Sequence, residues 1–436
     1  MAEGFMERVA ISTLGCKINQ FESAAMTESL GREGYRLVPF DEDADIYVIN
    51  TCTVTAKTDA ESRRLIRRAL RRNPAARVVV TGCYAQVAPE AVKDLPGVAL
   101  VVGNSEKKSI VELLRDAAPT EKVVVSDISR ERSAAGLRLE SFAEHTRAFL
   151  QIQNGCDAFC SYCIVPYARG RSRSVPFAEA LAGIRNFAAQ GFREVVLTGI
   201  HLGAYGLDLE PPSSLLALLE AAEAERAVPR LRVGSVEPNE LTDDLIDFMA
   251  GSAIVCPHLH IPLQSGDDAV LGRMGRRYTA AFFRERVGRI VAAIPDIFIG
   301  CDVIAGFPGE TDEEFGNTVR LIEELPVASL HVFPYSRREG TAAARMAGQV
   351  DGKVIRARSE MLRELGERKG LAFRRRFVGR ELAVLMQSRG RDGEAVGLSR
   401  NYLPVRLSGY GGDLNTELTV TVTEVTPDGV RGERRG

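Results

Sequence analysis

Asn154-Gly155-Cys156-Asp157-Ala158-Phe159-Cys160-Ser161-Tyr162-Cys163 sets three thiols at a Cys-x-x-x-Cys-x-x-Cys spacing. Three thiolates can hold three irons of a cubane iron–sulfur cluster and leave the fourth iron without a protein ligand. An iron left open can bind and activate a small molecule. A cluster held by four cysteines ordinarily only passes electrons. Structural zinc is the alternative. It wants four ligands, most often two separated Cys-x-x-Cys pairs or pairs with His. The next Cys or His beyond this loop is His201. The spacing favours the cluster and leaves zinc open.

Working outward, the loop follows an apolar run at 148–153, read as a strand. Further strands are expected at 194–198, 230–235, 258–263, 298–305 and 330–334. Helical patterns separate them, for instance at 177–190, 241–250, 282–293 and 312–324. Six such β/α units predict a partial (β/α)6 barrel in place of the full eight, with the cysteine loop on its catalytic face. Upstream, strands at 8–13, 46–50, 78–81 and 98–102 alternate with helices at 21–33, 56–72, from about 89, and 105–115. That alternation predicts a flavodoxin-like parallel sheet with helices on both faces. Residues 123–144 read as mixed and polar, with 133–137 as a linker. Beyond a charged helix at 353–375, short strands at 381–386, 395–398, 403–407 and 418–425 predict a small β-barrel. The fold class is α/β throughout the first two parts.

The other cysteines now acquire positions. Cys16, Cys52 and Cys83 are each expected two or three residues past the carboxyl end of a strand. Ligands bind at that rim of an open parallel sheet. Three thiols distant in sequence should therefore converge on one rim, as a second cluster site or as three buried cysteines. Cys256 and Cys301 read as small core residues.

The chain has 436 residues, 45% hydrophobic and 26% charged, with a net charge of −2. That is a globular composition without a field for polyanions, so any nucleic-acid site must be local. The opening Met1-Ala2-Glu3-Gly4-Phe5-Met6-Glu7-Arg8 lacks the apolar core of a signal peptide. No apolar run is long enough to span a bilayer. A cytoplasmic protein with no membrane partner is expected.

Thr13-Leu14-Gly15-Cys16-Lys17-Ile18-Asn19-Gln20, Asn50-Thr51-Cys52-Thr53-Val54-Thr55 and Gly82-Cys83-Tyr84-Ala85-Gln86 resemble the opening motifs of the radical S-adenosylmethionine (SAM) methylthiotransferases. Cys163-Ile164-Val165-Pro166-Tyr167-Ala168-Arg169-Gly170 resembles that family's radical-SAM segment, and the closing barrel resembles its TRAM module. The resemblance covers the whole chain, in the family's order: an N-terminal methylthiotransferase domain at 7–120, a radical-SAM core at 142–372 and TRAM at 375–436. Within the family, the first two motifs look most like the branch acting on N6-threonylcarbamoyladenosine in tRNA. The branches acting on isopentenyl-adenosine or on a ribosomal protein aspartate tend to read Gly-Cys-Gln-Met-Asn or Gly-Cys-Pro-Lys-Asn.

The resemblance implies two [4Fe-4S] clusters and SAM as cofactors. Cys156, Cys160 and Cys163 would bind the SAM cluster, and Cys16, Cys52 and Cys83 the auxiliary one. It implies a methylthio group inserted at C2 of adenosine 37 in the tRNA anticodon loop. One SAM would methylate sulfur at the auxiliary cluster, and another would yield the 5′-deoxyadenosyl radical that initiates attack. Electrons would come from an external donor such as a flavodoxin system. An RNA-binding iron–sulfur protein without SAM chemistry is the reading from another class.

Several residues are weaker candidates. Gly199 could let the backbone approach the SAM amino group, and Glu237 could meet the SAM ribose. A tight turn accounts for Gly199 equally well. His201 reads as structural. His258 and His260 share a strand face with Gln264 at the rim, but metal binding by that pair lacks a third ligand. The turn at 302–311 could line an adenine pocket and reads first as structural. For RNA, Glu61–Arg72 carries six arginines, with Arg64, Arg68 and Arg71 on one helix face, a phosphate-binding row or a solvated surface. From Arg374 to Gly436, eleven arginines stand against eight acids, which is only mildly basic.

Overall fold

The computed structural model describes residues 6–115, 122–134, 137, 139, 146–390 and 393–434. The expected linker at 133–137 falls partly outside them. The first unit is a parallel sheet of β1 (Arg8–Thr13), β2 (Arg36–Leu37), β3 (Ile46–Thr51), β4 (Arg77–Gly82), β5 (Val98–Val102) and β6 (Val123–Val124), in the order β2-β1-β3-β4-β5-β6. The two-residue strands β2 and β6 are too short to give a pattern. β6 pairs with β5 past the boundary expected at 120. The central runs Ile-Tyr-Val-Ile-Asn-Thr and Arg-Val-Val-Val-Thr-Gly are almost wholly buried, as strands covered on both faces require.

Helices α1 (Lys17–Arg32) and α5 (Ile110–Arg115) cover one face through Met26, Leu30, Ile110 and Leu114. Helices α2 (Ala56–Arg72) and α4 (Pro89–Lys93) cover the other through Leu65, Ile66, Ala69 and Val92. Thr55 begins α2 with a capping box to Thr58. Short α3 (Cys83–Val87) lies between α2 and α4 in the chain.

The second unit is the six-stranded open barrel, laid down as two three-stranded parallel sheets. One joins β7 (Arg147–Gln151), β10 (Glu194–Thr198) and β11 (Arg230–Val233) in the order β11-β10-β7. The other joins β12 (His258–His260), β13 (Phe298–Ala305) and β14 (Ser329–Pro334). A bridge between Ser235 and His260 links them. The extra pair β8 (Gln153–Asn154) and β9 (Arg173–Ser174) forms a two-stranded hairpin around the cysteine loop. Within that loop lies α6 (Val165–Arg169). Along β13, Ile299, Cys301, Val303 and Ala305 join the core beneath the outer helices. Gly300, Asp302 and Ile304 alternate with them and face the lumen.

The third unit is a closed barrel of β15 (Glu381–Arg389), β16 (Ala395–Ser399), β17 (Pro404–Leu407), β18 (Glu417–Thr426) and β19 (Gly429–Arg434). The strand β19 was not anticipated: its Gly-Val-Arg-Gly-Glu-Arg carries one large apolar side chain. This barrel plugs the floor of the open one. Arg230 donates to Leu398 and Ser399 carbonyls at 3.1 and 3.0 Å, and Arg232 to the Arg400 carbonyl at 2.9 Å. The Tyr402 ring lies 4.3 Å from that of His258. Among the described residues, no helix is long and apolar enough to cross a membrane.

Candidate functional site

The sheet gathers the first thiol trio at one rim. β3 and β4 run one residue further than expected, so Cys52 and Cys83 follow their strands directly, while Cys16 lies three residues beyond β1. Cys16 and Cys52 thus flank the β1/β3 neighbours, where this strand order reverses direction and leaves a crevice. Gly15 has φ +97°, and a Cβ there would lie 2.8 Å from Cys52 Sγ, so glycine lets the Cys16 loop close onto Cys52.

A cation from another domain completes this rim. Arg169 ends α6, six residues after Cys163, and is buried inside the N-terminal unit. Its Nε–H donates to Cys83 Sγ at 3.3 Å, and its guanidinium also pairs with Glu22 and Asn19. Lys107 Nζ lies 2.5 Å from the same Glu22 carboxylate. Desolvation pushes Glu22 up, but the two cations outweigh it and hold its pKa below the ordinary value. Two buried cations on one carboxylate leave positive charge beside the thiols. Cys16 is exposed, yet protein surrounds its sulfur closely enough for burial to raise its pKa, opposed by Arg169. Burial pushes Cys52 up to about 11.

The second trio is local. The β8–β9 hairpin pins both ends of its loop, and Gly155 (φ +72°) sits where a Cβ would overlap the Arg171 carbonyl. The Ala158 N–H donates to Cys156 Sγ at 3.4 Å, and Arg276 Nη1 donates to Cys160 Sγ at 3.2 Å. His201 Nδ1 is 3.6 Å from Cys156 Sγ, and its Nε2 is 2.6 Å from Glu240 Oε1. Burial pushes Cys163 up to about 12. Glu237 pairs with Arg276, whose guanidinium lies 5.0 Å from the Tyr278 ring. A cavity of about 490 Å³ opens beside Cys160, His201, Glu237, Arg276 and Tyr278. Gly199 packs instead against Gln153 and Leu202, where a Cβ would lie 2.9 Å from Gln153 Oε1.

Both trios suit a cluster better than a single ion. Among the described residues, one set of His, Cys, Asp or Glu gathers its ligand atoms within 4.8 Å, and it contains no cysteine. A tetrahedral zinc with bonds near 2.3 Å would hold its sulfurs closer than that. N–H donors already point at Cys83, Cys156 and Cys160, as they do around iron-bound thiolates. Thiols raised by burial stay protonated until a cation replaces the proton, so binding and ionisation are coupled.

The set that does gather is His260, Asp302 and His331. His260 Nε2 lies 2.7 Å and His331 Nδ1 3.4 Å from Asp302 Oδ1. Burial raises Asp302, yet its bonds to the two imidazoles hold it at about 2. His258, expected as the partner of His260, is buried against Phe298 and Tyr402, and burial drives its pKa well below normal. The missing third group was Asp302, and the register β13–β14 places His331 directly opposite it. The turn at 302–311 is structural: Glu310 accepts from the Gly306 N–H at 2.8 Å and pairs with Arg358. Cys256 and Cys301 are fully buried core residues. Sequence reading missed Arg169 and Arg276; their only signal was proximity to the cysteine loop and to Tyr278.

Comparison with known proteins converges with this geometry. Residues 8–103 match the model of Uncharacterized protein family UPF0004, and residues 150–322 match the Radical SAM superfamily. A threonylcarbamoyladenosine tRNA methylthiotransferase MtaB of Bacillus subtilis is 39% identical over 93% of this chain and 91% of that relative. Its Aquifex aeolicus counterpart is 38% identical over 92% and 97%. A tRNA-2-methylthio-N(6)-dimethylallyladenosine synthase of Cereibacter sphaeroides is 35% identical over 98% and 99%. Among solved structures, the radical SAM methyltransferase TsrM from Kitasatospora setae, with cobalamin and a [4Fe-4S] cluster bound, aligns with TM-score 0.56 at 17% identity. It covers 78% of this chain and 74% of its own, and shows a shared fold.

Proposed function

The chain belongs to the radical-SAM methylthiotransferase family, and from that premise we propose that it inserts a methylthio group at C2 of N6-threonylcarbamoyladenosine 37 in tRNA. One observation carries the reading: two cysteine trios, neither with a fourth cysteine beside it among the described residues, are joined through Arg169, which ends the helix of one trio's loop and donates to Cys83 of the other. Relatives named for threonylcarbamoyladenosine, at 38–39% identity, support that substrate over the isopentenyl or dimethylallyl one at 35%.

Cys156, Cys160 and Cys163 hold the SAM cluster, and Cys16, Cys52 and Cys83 the auxiliary cluster. When bound, these groups supply reductive SAM cleavage at one site and sulfur at the other. C2 carries an unactivated aromatic hydrogen, so neither a base nor a simple nucleophile replaces it readily. The protein contributes position and shielding. Arg276 and His201 direct hydrogen-bonding groups at the loop sulfurs, and Glu237 stands beside them at the cavity wall for the SAM ribose. Gly199 keeps the adjoining turn free of a side chain for the SAM amino group. Anticodon-loop bases reach such a site only when splayed from the stack. An external donor of the flavodoxin type supplies electrons.

The test is anaerobic incubation of cluster-loaded protein with SAM, reductant and threonylcarbamoyl-modified tRNA, followed by nucleoside mass spectrometry. A methylthio mass gain on that nucleoside, with 5′-deoxyadenosine released, is expected. Gain on isopentenyl-adenosine or on a ribosomal protein, with none here, would sink the substrate choice. No 5′-deoxyadenosine from fully loaded protein would sink the chemistry.

A further inference from the structure

His260, Asp302 and His331 belong to neither cysteine site and have no part in the chemistry above. They come from β12, β13 and β14, three neighbours in one parallel sheet. His260 stands opposite Gly300, and His331 opposite Asp302, so the three lie within two residues of one another along the strands. His260 Nε2 is 2.7 Å and His331 Nδ1 3.4 Å from the same oxygen, Asp302 Oδ1. The imidazole rings are 4.8 Å apart between centroids and tilted by 33°. One ligand atom from each residue falls within 4.8 Å of the other two.

The surroundings suit an ion. Asp302 has no lysine or arginine partner among the described residues. Its neighbours on the same face of β13 are apolar or absent: Ile304 one step above, Gly300 one step below, then Phe298. Phe298 packs with His258 and Tyr402 into an aromatic floor beneath the site. Gly300 makes the room, since a Cβ there would lie 2.9 Å from His260 Nδ1. His331 is 60% exposed, on the end strand of its sheet, and is free to adjust. A metal with bonds of about 2.0–2.1 Å separates adjacent ligand atoms by roughly 2.9–3.4 Å. The observed 2.7 and 3.4 Å bracket that spacing, and the longer one exceeds an ordinary N–H···O bond. Two imidazole nitrogens and a carboxylate oxygen suit zinc and similar divalent ions.

We propose that His260, Asp302 and His331 bind one zinc ion on the wall of the barrel lumen, separate from both cysteine trios, with its fourth position open to water. Asp302 and His260 form the fixed pair. His331 closes onto the ion from the edge strand. The bound ion neutralises an acid that no other cation meets, and its open position offers a Lewis acid to an oxygen entering the lumen. Neither the clusters nor the choice of nucleoside enters this inference.

The test uses the cluster-loaded full chain, dialysed without oxygen against zinc chloride and then against metal-free buffer. Zinc and iron are counted by elemental mass spectrometry, and the zinc shell is read by X-ray absorption. Wild type should keep about one zinc per chain beside its iron, with nitrogen and oxygen at about 2.0–2.1 Å and no sulfur. Asp302→Ala and His331→Ala should each bring zinc to background and leave iron unchanged. His331→Ala truncates an exposed side chain, so its loss of zinc is not a loss of fold. The wild-type measurement needs no variant. A sulfur shell near about 2.3 Å assigns the zinc to a cysteine trio and overturns the proposal. Absence of zinc from wild type with its full iron also overturns it, and leaves the three residues as a hydrogen-bonded cluster. Zinc retained in both variants overturns it as well. None of these outcomes touches the identity of the modified nucleoside, so the tRNA reading stands or falls by its own test.

Discussion

Cys156, Cys160 and Cys163 occupy eight residues of one loop, whereas Cys16, Cys52 and Cys83 come from three strand ends spread over 68 residues. The loop site is closed by a two-stranded hairpin and one glycine, so its geometry is fixed within a short stretch of chain. The rim site exists only when β1, β3 and β4 are in register. Both sites nevertheless have one sulfur that accepts from a guanidinium: Cys160 from Arg276, Cys83 from Arg169. Arg276 comes from the same domain as its cysteine. Arg169 comes from the loop of the other site. The dependence runs one way: the rim site needs the radical-SAM loop in place, and the loop site does not need the rim.

The sharpest break of that comparison is between the cysteines themselves. Cys160→Ala should reduce SAM cleavage to background, measured as 5′-deoxyadenosine. Cys52→Ala should leave cleavage largely intact and stop methylthiolation of the nucleoside. Equal loss of cleavage in both variants would remove the division of labour between the sites.

Arg169→Met comes next. It leaves Glu22 with Lys107 alone, takes a donor from Cys83 and removes a buried contact between domains. Breaking one partner of a buried pair costs about 3–5 kcal/mol. Iron content should fall toward that of a one-cluster protein, with the remaining iron at the loop site and SAM cleavage still present. The symmetric change Arg276→Met should instead strike SAM cleavage and spare the rim. If Arg169→Met keeps its full iron and its melting temperature, the one-way dependence is wrong.

A smaller effect sharpens the contrast with a charge cluster outside both sites. Desolvation raises Glu194, but Arg232 and Arg230 outweigh it and hold its carboxyl at about 2, below the ordinary 4.5. A depressed carboxyl contributes stability that is complete above about 4.5 and is lost as pH falls toward 2. The difference amounts to about 3 kcal/mol. Glu194→Gln should lower stability at neutral pH and flatten its loss between pH 4.5 and 2, followed by denaturant unfolding. Because this cluster ties the open barrel to the C-terminal barrel, iron at the rim should not change. Iron loss would show that the floor of the barrel reaches the rim as well.

How much of this was legible follows from the same contrast. The loop trio could be read from spacing alone, since its ligands are neighbours in sequence. The rim trio could be read because β-branched runs mark the strands and each cysteine follows one. Strand ends moved by one residue, since Thr51 and Gly82 carry no apolar signal that would include them. Arg169, Arg276 and the His260–Asp302–His331 set were not legible as partners. Each is assembled across elements, and only strand register or domain packing brings its members together. His258 and His260 show the limit well: His258 packs against Phe298 and Tyr402, while the partners of His260 lie 42 and 71 residues downstream at Asp302 and His331.

The smallest effect concerns the outer surface, where α2 and the C-terminal barrel are the two arginine-rich regions. In the barrel, Arg400, Arg406 and Arg431 are paired with Glu417, Asp428 and Glu394. On α2, Leu65, Ile66 and Ala69 are buried, and Arg64, Arg67, Arg68, Arg71 and Arg72 are exposed. Arg64 pairs with Glu61, Arg68 lies over Phe40 and Arg72 approaches Asp43. Arg67 and Arg71 have no ion-pair partner among the described residues. A free arginine can give its whole charge to a phosphate, whereas a paired one must first leave its acid. Arg67→Ala and Arg71→Ala should each weaken tRNA binding a few-fold, with the salt dependence of the affinity shallower by about one unit in log–log slope. Arg406→Ala should change neither. If the barrel variant shows the larger change in slope, the RNA lies across the C-terminal unit, and the even arginine row of α2 is a solvated face.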